Sequence, residues 1–103
     1  MANEEPIACA MRPIHPGEIL RDELVELGLS AHAFAKALDI PVNRVNQILR
    51  ERRGVSADTA LRVARYFGTA PEFWMDLQSD YELRRARREV GAAIERSVHP
   101  RAA

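Results

Sequence analysis

Pro41 constrains this chain more than any other residue. It disfavours helical geometry at Ile40 before it, so a helix running into this point should stop at Asp39. It is tolerated in the first turn of a following helix, where its missing N–H would be unpaired anyway. Apolar residues of helical period lie on both sides of it. Phe34 and Leu38 are one turn apart and share a face. Val45, Ile48 and Leu49 form a second stripe at i, i+3 and i+4. The spacing predicts two short helices meeting at a sharp corner, the second spanning Val42–Arg50. Ile40 is placed to plug that corner, and Ala35 supplies the small side chain that a steep crossing needs. Asp39 stands where a left-handed residue is expected, a conformation that glycine adopts more easily.

Two helices so arranged are a helix-turn-helix, here the stretch Ser30–Arg53. If Val45, Ile48 and Leu49 face a core, the second helix turns Asn43, Arg44, Asn46, Gln47 and Arg50 outward. Asn and Gln can bond adenine in a bidentate manner in the major groove, and Arg can do so to guanine. Arg52 and Arg53 follow at once and suit phosphate contacts. A solvated polar face on an ordinary helix would hold similar residues. The coincidence of that face with a correctly spaced apolar set and a basic exit loop favours double-stranded DNA as the ligand.

The formal net charge is zero, which alone argues against a nucleic-acid binder. The distribution argues for one. Residues 42–65 hold six arginines (44, 50, 52, 53, 62 and 65) against Glu51 and Asp58. The preceding residues are mainly acidic, and 66–82 carry only Glu72, Asp76, Asp80 and Glu82 as charges. A segregated field can steer one face towards DNA while leaving acidic surface for a basic protein partner.

The chain's 103 residues suffice for one modest core. Residues 1–14 read as a flexible arm, in which Met11 is an alternative start and Cys9 a bystander rather than a redox switch. The single cysteine suits a reducing cytoplasm. There is no signal-peptide pattern and no apolar run long enough for a membrane. Residues 15–96 read as the folded domain with a C-terminal helical extension, and 97–103 as a tail. Pro16 opens the first helix, Ile19, Leu20, Leu24 and Leu27 give it an apolar face, and Gly28 closes it. Ser30 caps the next helix. Ser56 caps a fourth, Ala57–Phe67, with Ala60, Leu61, Ala64 and Phe67 inward and Gly68 as its stop. Thr69 and Glu72 have capping-box spacing ahead of a fifth helix carrying Phe73, Trp74, Leu77 and Tyr81. Trp74 reads as a core anchor, the alternative being an exposed binding hot spot. Leu83, Ala86, Val90 and Ile94 continue a helical stripe over residues 80–96, to fold back on the core or to pack against a second copy. Of these the second copy is favoured. Gly91 lowers helix propensity there, so fraying is expected beyond it.

No catalytic constellation emerges, and no cofactor or metal is expected. His15, His32 and His99 lack metal spacing, no glycine-rich phosphate loop is present, and Asp22 and Glu23 are adjacent on a helix and do not face each other. The chain therefore reads as a non-enzyme.

The string from His15 to about Arg84 resembles the HigA-type antitoxins, within the Xre/Cro helix-turn-helix regulators. The resemblance is carried by His15-Pro16-Gly17-Glu18-Ile19-Leu20, Ala57-Asp58-Thr59-Ala60-Leu61-Arg62, Phe67-Gly68-Thr69, Pro71-Glu72-Phe73-Trp74 and Tyr81-Glu82-Leu83-Arg84. It implies an all-α bundle of five or six helices, of the lambda-repressor-like type, that forms a homodimer on operator DNA. It also implies a HigB-type toxin of the RelE-like, messenger-RNA-cleaving kind, which the protein would neutralise while repressing the shared operon. A stand-alone repressor of the same fold is the alternative. Glu18, Asp22, Glu23 and Glu26 make the first helix a candidate surface for such a basic toxin.

Overall fold

His15 starts the first helix. Its Nδ1 accepts the Gly17 amide at 2.9 Å, and Pro16 follows in the first helical position, where a missing N–H costs nothing. The computed structural model describes residues 12–102, and those residues form five helices and no strand. They are α1 (Pro16–Leu27), α2 (Ala31–Leu38), α3 (Val42–Leu49), α4 (Ala57–Phe67) and α5 (Pro71–Ser97). The arm assigned to 1–14 lies mostly outside the described residues, Cys9 and Met11 included. Its last part is tied down, with Arg12 donating to both carboxylate oxygens of Glu18 at 2.9 and 2.7 Å.

The expected caps account for most boundaries. Ser30 Oγ accepts the Ala33 amide at 3.1 Å and Ser56 Oγ the Thr59 amide at 3.3 Å. Gly28 and Gly68 end α1 and α4 in the left-handed region, with φ of 64° and 72°. Asp39 takes that conformation at the end of α2, with φ of 58°, and the Ile40 amide returns to the Ala35 carbonyl at 3.1 Å. A short polar side chain is among the few that tolerate this geometry. Pro41 stands just outside α3 as its N-cap rather than within the first turn, and α3 ends at Leu49, with Arg50 as its C-cap.

Two expectations are corrected at the last helix. The Thr69–Glu72 capping box does not form: Ala70 is the N-cap, without a side-chain bond. Thr69 Oγ1 instead accepts the Trp74 indole N–H at 3.1 Å, a buried donor that needs a partner more than the helix end does. The fifth helix and the stripe over 80–96 are one element of 27 residues. It runs without a break through Gly91 to Ser97, beyond the point where an end was expected. The cost of about 1 kcal/mol for one glycine is spread over good helix formers and i, i+4 pairs, Asp80–Arg84 at 2.8 Å and Arg85–Glu89 at 2.9 Å.

The core joins Leu20 and Leu24 of α1, Phe34, Ala35 and Leu38 of α2, Val45 and Ile48 of α3, Val55, Ala60, Val63 and Ala64 around α4, and Trp74 of α5. Trp74 is thus the anchor under α4, tilted against Phe67 at 6.2 Å between ring centroids. Leu27 and Leu61, assigned inward, are exposed. The inward face of α4 passes through Val63, because Ala60, Val63, Ala64 and half-buried Phe67 repeat at three and four residues. Gln78 is a buried polar residue. Its Oε1 accepts the Val55 amide at 2.7 Å and its Nε2 donates to Glu82 at 2.8 Å, which fastens the loop between α3 and α4 to α5. Tyr81 still packs on His15; past it α5 runs out of the bundle, and Leu83, Val90 and Ile94 are exposed at 52 %, 44 % and 49 %. They do not fold back on their own core.

Candidate nucleic-acid interface

The face of α3 is set by what holds its other side. Val45 and Ile48 are buried and Leu49 half-buried, against α1 and α2. Asn43, Gln47 and Arg50, spaced at i, i+4 and i+7, are exposed and form one outward line. Arg44 and Asn46 flank that line and are half-buried. The structure therefore brings together all five residues expected from α3, three exposed and two half-buried at the edges.

The exit from α3 is a tight hydrogen-bonded turn. The Glu51 amide donates to the Ile48 carbonyl at 2.9 Å and the Arg52 amide to the Gln47 carbonyl at 2.8 Å. Glu51 is left-handed, with φ of 61°. This paired pattern reverses the chain within two residues and sets Arg52 and Arg53, both exposed, directly after the helix. Among the described residues neither they nor Arg50 has a carboxylate partner. Their charge is free for an anion.

Two supporting residues have roles that helical periodicity does not mark, although His15 heads the block that carries the family resemblance. Arg21 of α1 donates to the Leu49 carbonyl and, at 3.1 Å, to Glu51 Oε2. A guanidinium here satisfies an otherwise unpaired carbonyl and opposes the negative end of the α3 dipole. It also gives the strained Glu51 a partner. His15 is the second. It is 2 % exposed, stands edge-on to Tyr81 with ring centroids 4.8 Å apart, and caps α1 where α1 meets the end of α3. Burial pushes its pKa below the ordinary histidine value, against the opposing pull of Glu51 and a hydrogen bond with the Arg53 backbone. Arg21 and Arg85 push it down further.

The acidic face expected on α1 is smaller than its sequence suggests. Asp22, Glu23 and Glu26 are exposed, but Glu18 is half-buried and committed to Arg12. That guanidinium holds the Glu18 carboxyl below its usual range. Among the described residues no group of histidine, cysteine and carboxylate side chains is arranged to hold a metal ion. Nor is any helix there long and apolar enough to cross a membrane.

A helix-turn-helix family matches residues 20–74, from within α1 to the start of α5. The chain is 52 % identical to virulence-associated protein I of Dichelobacter nodosus over 80 residues, 77 % of this chain and 74 % of that one. Among solved structures it resembles an addiction module antidote protein of the HigA family from Coxiella burnetii. The TM-score is 0.85 at 53 % identity, covering 88 % of this chain and all of that one. It also resembles the Pseudomonas aeruginosa antitoxin HigA solved with the higBA promoter. There the TM-score is 0.84 at 52 % identity, again over 88 % of this chain and 100 % of the other.

Proposed function

This chain belongs to the helix-turn-helix family and, within it, to the HigA antitoxins, regulators rather than enzymes, and on that footing we propose that it is a cytoplasmic, operator-binding antitoxin that works as a homodimer. The observation that carries the proposal is the outward line Asn43–Gln47–Arg50 along α3 and its C-cap, running into Arg52 and Arg53, with no carboxylate among the described residues holding any of the three arginines. The helix is short and its N-terminal end is the end that recognition helices present to base edges. Asn43, Arg44, Asn46 and Gln47 are the base readers in this reading. Arg50, Arg52 and Arg53 hold the phosphate backbone. The relative solved with its promoter supports the choice of DNA over another polyanion.

In the same reading residues 15–96 act as one unit, and α5 joins two copies so that two α3 helices face the two half-sites of a palindrome. The toxin partner is a basic, RelE-like ribonuclease. The exposed carboxylates Asp22, Glu23 and Glu26 are its proposed contact, on the ground of charge complementarity and of being on a helix other than the one that carries the DNA-reading line.

The test is co-expression with the adjacent open reading frame, followed by a gel shift on DNA upstream of the pair. Copurification of a small basic protein whose toxicity this chain relieves, with a shift of the upstream duplex, is the expected result. A shift without any toxic neighbour replaces the antitoxin by a stand-alone repressor. Copurification without a shift removes the DNA-binding half.

A further inference from the structure

Arg44 differs from the other arginines of the interface in being held. Its guanidinium lies 3.4 Å from Asp58 Oδ1, an atom that also accepts Arg62 Nε at 2.7 Å. Arg62 in turn donates to the carbonyls of Leu38 at 3.0 Å and Asp39 at 3.2 Å. Asp39 is the left-handed residue of the corner. One carboxylate therefore links three parts of the motif: the first turn of α3, the first turn of α4 and, through Arg62, the turn between α2 and α3. Asp58 and Arg62 are one turn apart on α4, so their mutual geometry is fixed by a single helix.

We propose that Asp58 is a positioning residue for DNA recognition, holding the Arg44 guanidinium at the edge of α3 so that Arg44 reads a base instead of roaming to phosphates. The assignment rests on the reading of α3 as the DNA-contacting helix. As a contribution to folding, the pair is worth little, because both side chains are part-exposed and exposed ion pairs contribute at most about 1 kcal/mol. Its consequence lies in binding. An arginine side chain free in solution loses conformational entropy when it docks on guanine, and one already held loses less. The contact engages one terminal nitrogen of Arg44, which leaves other N–H donors for the bidentate geometry that distinguishes guanine from other bases. The negative charge acts in the opposite sense on affinity, since a carboxylate beside the duplex repels phosphate. Asp58 thus exchanges some non-specific attraction for discrimination at one position. The hydrogen bond from Arg62 holds the Asp58 carboxyl below its usual range.

The experiment is selection from a pool of randomised duplex DNA, with the bound fraction sequenced, for the unaltered protein and for Arg44→Ala, Asp58→Asn, Asp58→Ala and the Arg44→Ala/Asp58→Ala pair. Arg44→Ala defines the base position that Arg44 reads. Asp58→Ala should then lower preference at that same position about threefold to tenfold, leave the others unchanged, and hold or raise affinity for random duplex. Asp58→Asn, which keeps an acceptor oxygen but no charge, should fall between. The double variant should lose no more preference there than Arg44→Ala alone. Thermal melts of all four variants show whether the fold is kept, and a purely structural role would lower preference at every position together. Unchanged preference at the Arg44 position in Asp58→Ala, or a uniform loss across positions, overturns the proposal. Failure of the unaltered protein to enrich any sequence overturns the DNA-binding reading as well, and is distinct from both.

Discussion

Gly17 lies so close to the Ile48 carbonyl oxygen that a β-carbon at position 17 would overlap it. The first turn of α1 is thereby pressed on the last turn of α3. Replacing a glycine within a helix by alanine ordinarily stabilises by about 1 kcal/mol. Here the obstacle is backbone at the end of α3, which cannot rotate away. Gly17→Ala should therefore destabilise by about 1–3 kcal/mol, the usual penalty for overpacking. Urea denaturation checks it, and a rise in stability would mean that α1 can lift off α3 at little cost.

Gln78 gives a second stability prediction. The buried Val55 amide has the Gln78 side-chain oxygen as its partner, at 2.7 Å. Gln78→Leu keeps the volume and removes the acceptor, leaving a buried N–H unpaired. The expected loss is about 1–3 kcal/mol. Because Val55 follows Arg52 and Arg53 closely, hydrogen exchange at residues 52–56 should also accelerate. Normal stability with unchanged exchange would show that water replaces the amide.

A pH dependence follows from His15. Its Nδ1 must be unprotonated to accept the Gly17 amide, and burial holds its folded pKa below the ordinary value. The unfolded chain has a histidine pKa of about 6.5. Above that pH both states are neutral and the full stability is present. As the pH falls below it, the unfolded chain takes up a proton that the folded one refuses, and stability declines until the folded pKa is passed. His15→Asn retains a capping oxygen and cannot titrate. The difference in denaturation midpoint between the two proteins, followed from about pH 8 to pH 5, should be constant at the upper end and narrow or invert towards the lower. A constant difference throughout would remove His15 as the source.

The helix-turn-helix was legible because it is written locally. Pro41, the two apolar stripes and the capping serines lie within a few residues of the boundaries they set. The outward set on α3 follows from periodicity once Val45 and Ile48 are known to be buried. What was not legible depends on partners far along the chain. Arg21 meets Leu49 and Glu51, 28 and 30 residues away, and Gln78 meets Val55 across 23. Nothing near any of them in sequence marks the pairing. Thr69 misled for the same reason. Its spacing to Glu72 obeys a local rule, and the Trp74 indole competes for it successfully. Leu27 and Leu61 fit a helical stripe but fall at its edges, where the width of the neighbouring element decides burial.

Base reading and phosphate binding by the α3 face should separate in two variants. Gln47→Ala should cost about 1–3 kcal/mol on the preferred duplex and little on random DNA. Arg53→Ala should weaken both alike and reduce the dependence of log affinity on log salt by about 0.9 for each phosphate left without its arginine. Fluorescence anisotropy titrations at several salt concentrations measure both quantities. An equal loss on both duplexes for Gln47→Ala, or an unchanged salt slope for Arg53→Ala, would reassign the residue concerned.

Dimerisation through α5 is the last prediction, and the geometry of one helix carries it. At 100° per residue, Val90 and Ile94 fall within about 20° of the line through Leu83, while Trp74 lies on the opposite side. Trp74 and Gln78 are the buried residues of α5, against the rest of the bundle. The exposed stripe of Leu83, Val90 and Ile94 therefore faces away from the core of its own chain. Its helix is 27 residues long, about 40 Å, longer than the bundle needs. A stripe of this kind in water is unfavourable unless another apolar surface covers it, and a second copy offers the same stripe about a two-fold axis. The axis would set two α3 helices on one side of the dimer, as half-sites about 34–36 Å apart require. Replacing Val90 and Ile94 together by Glu should yield a monomer at micromolar concentration in light scattering. The variant should still melt cooperatively, at a temperature lower than that of the dimer and independent of protein concentration, because only the stabilisation by the second copy is lost. Affinity for the palindromic duplex should fall by far more than affinity for a single half-site. A dimer that survives the double substitution would place the interface elsewhere on the molecule, and an unchanged preference for paired half-sites would show that two copies meet only on the DNA.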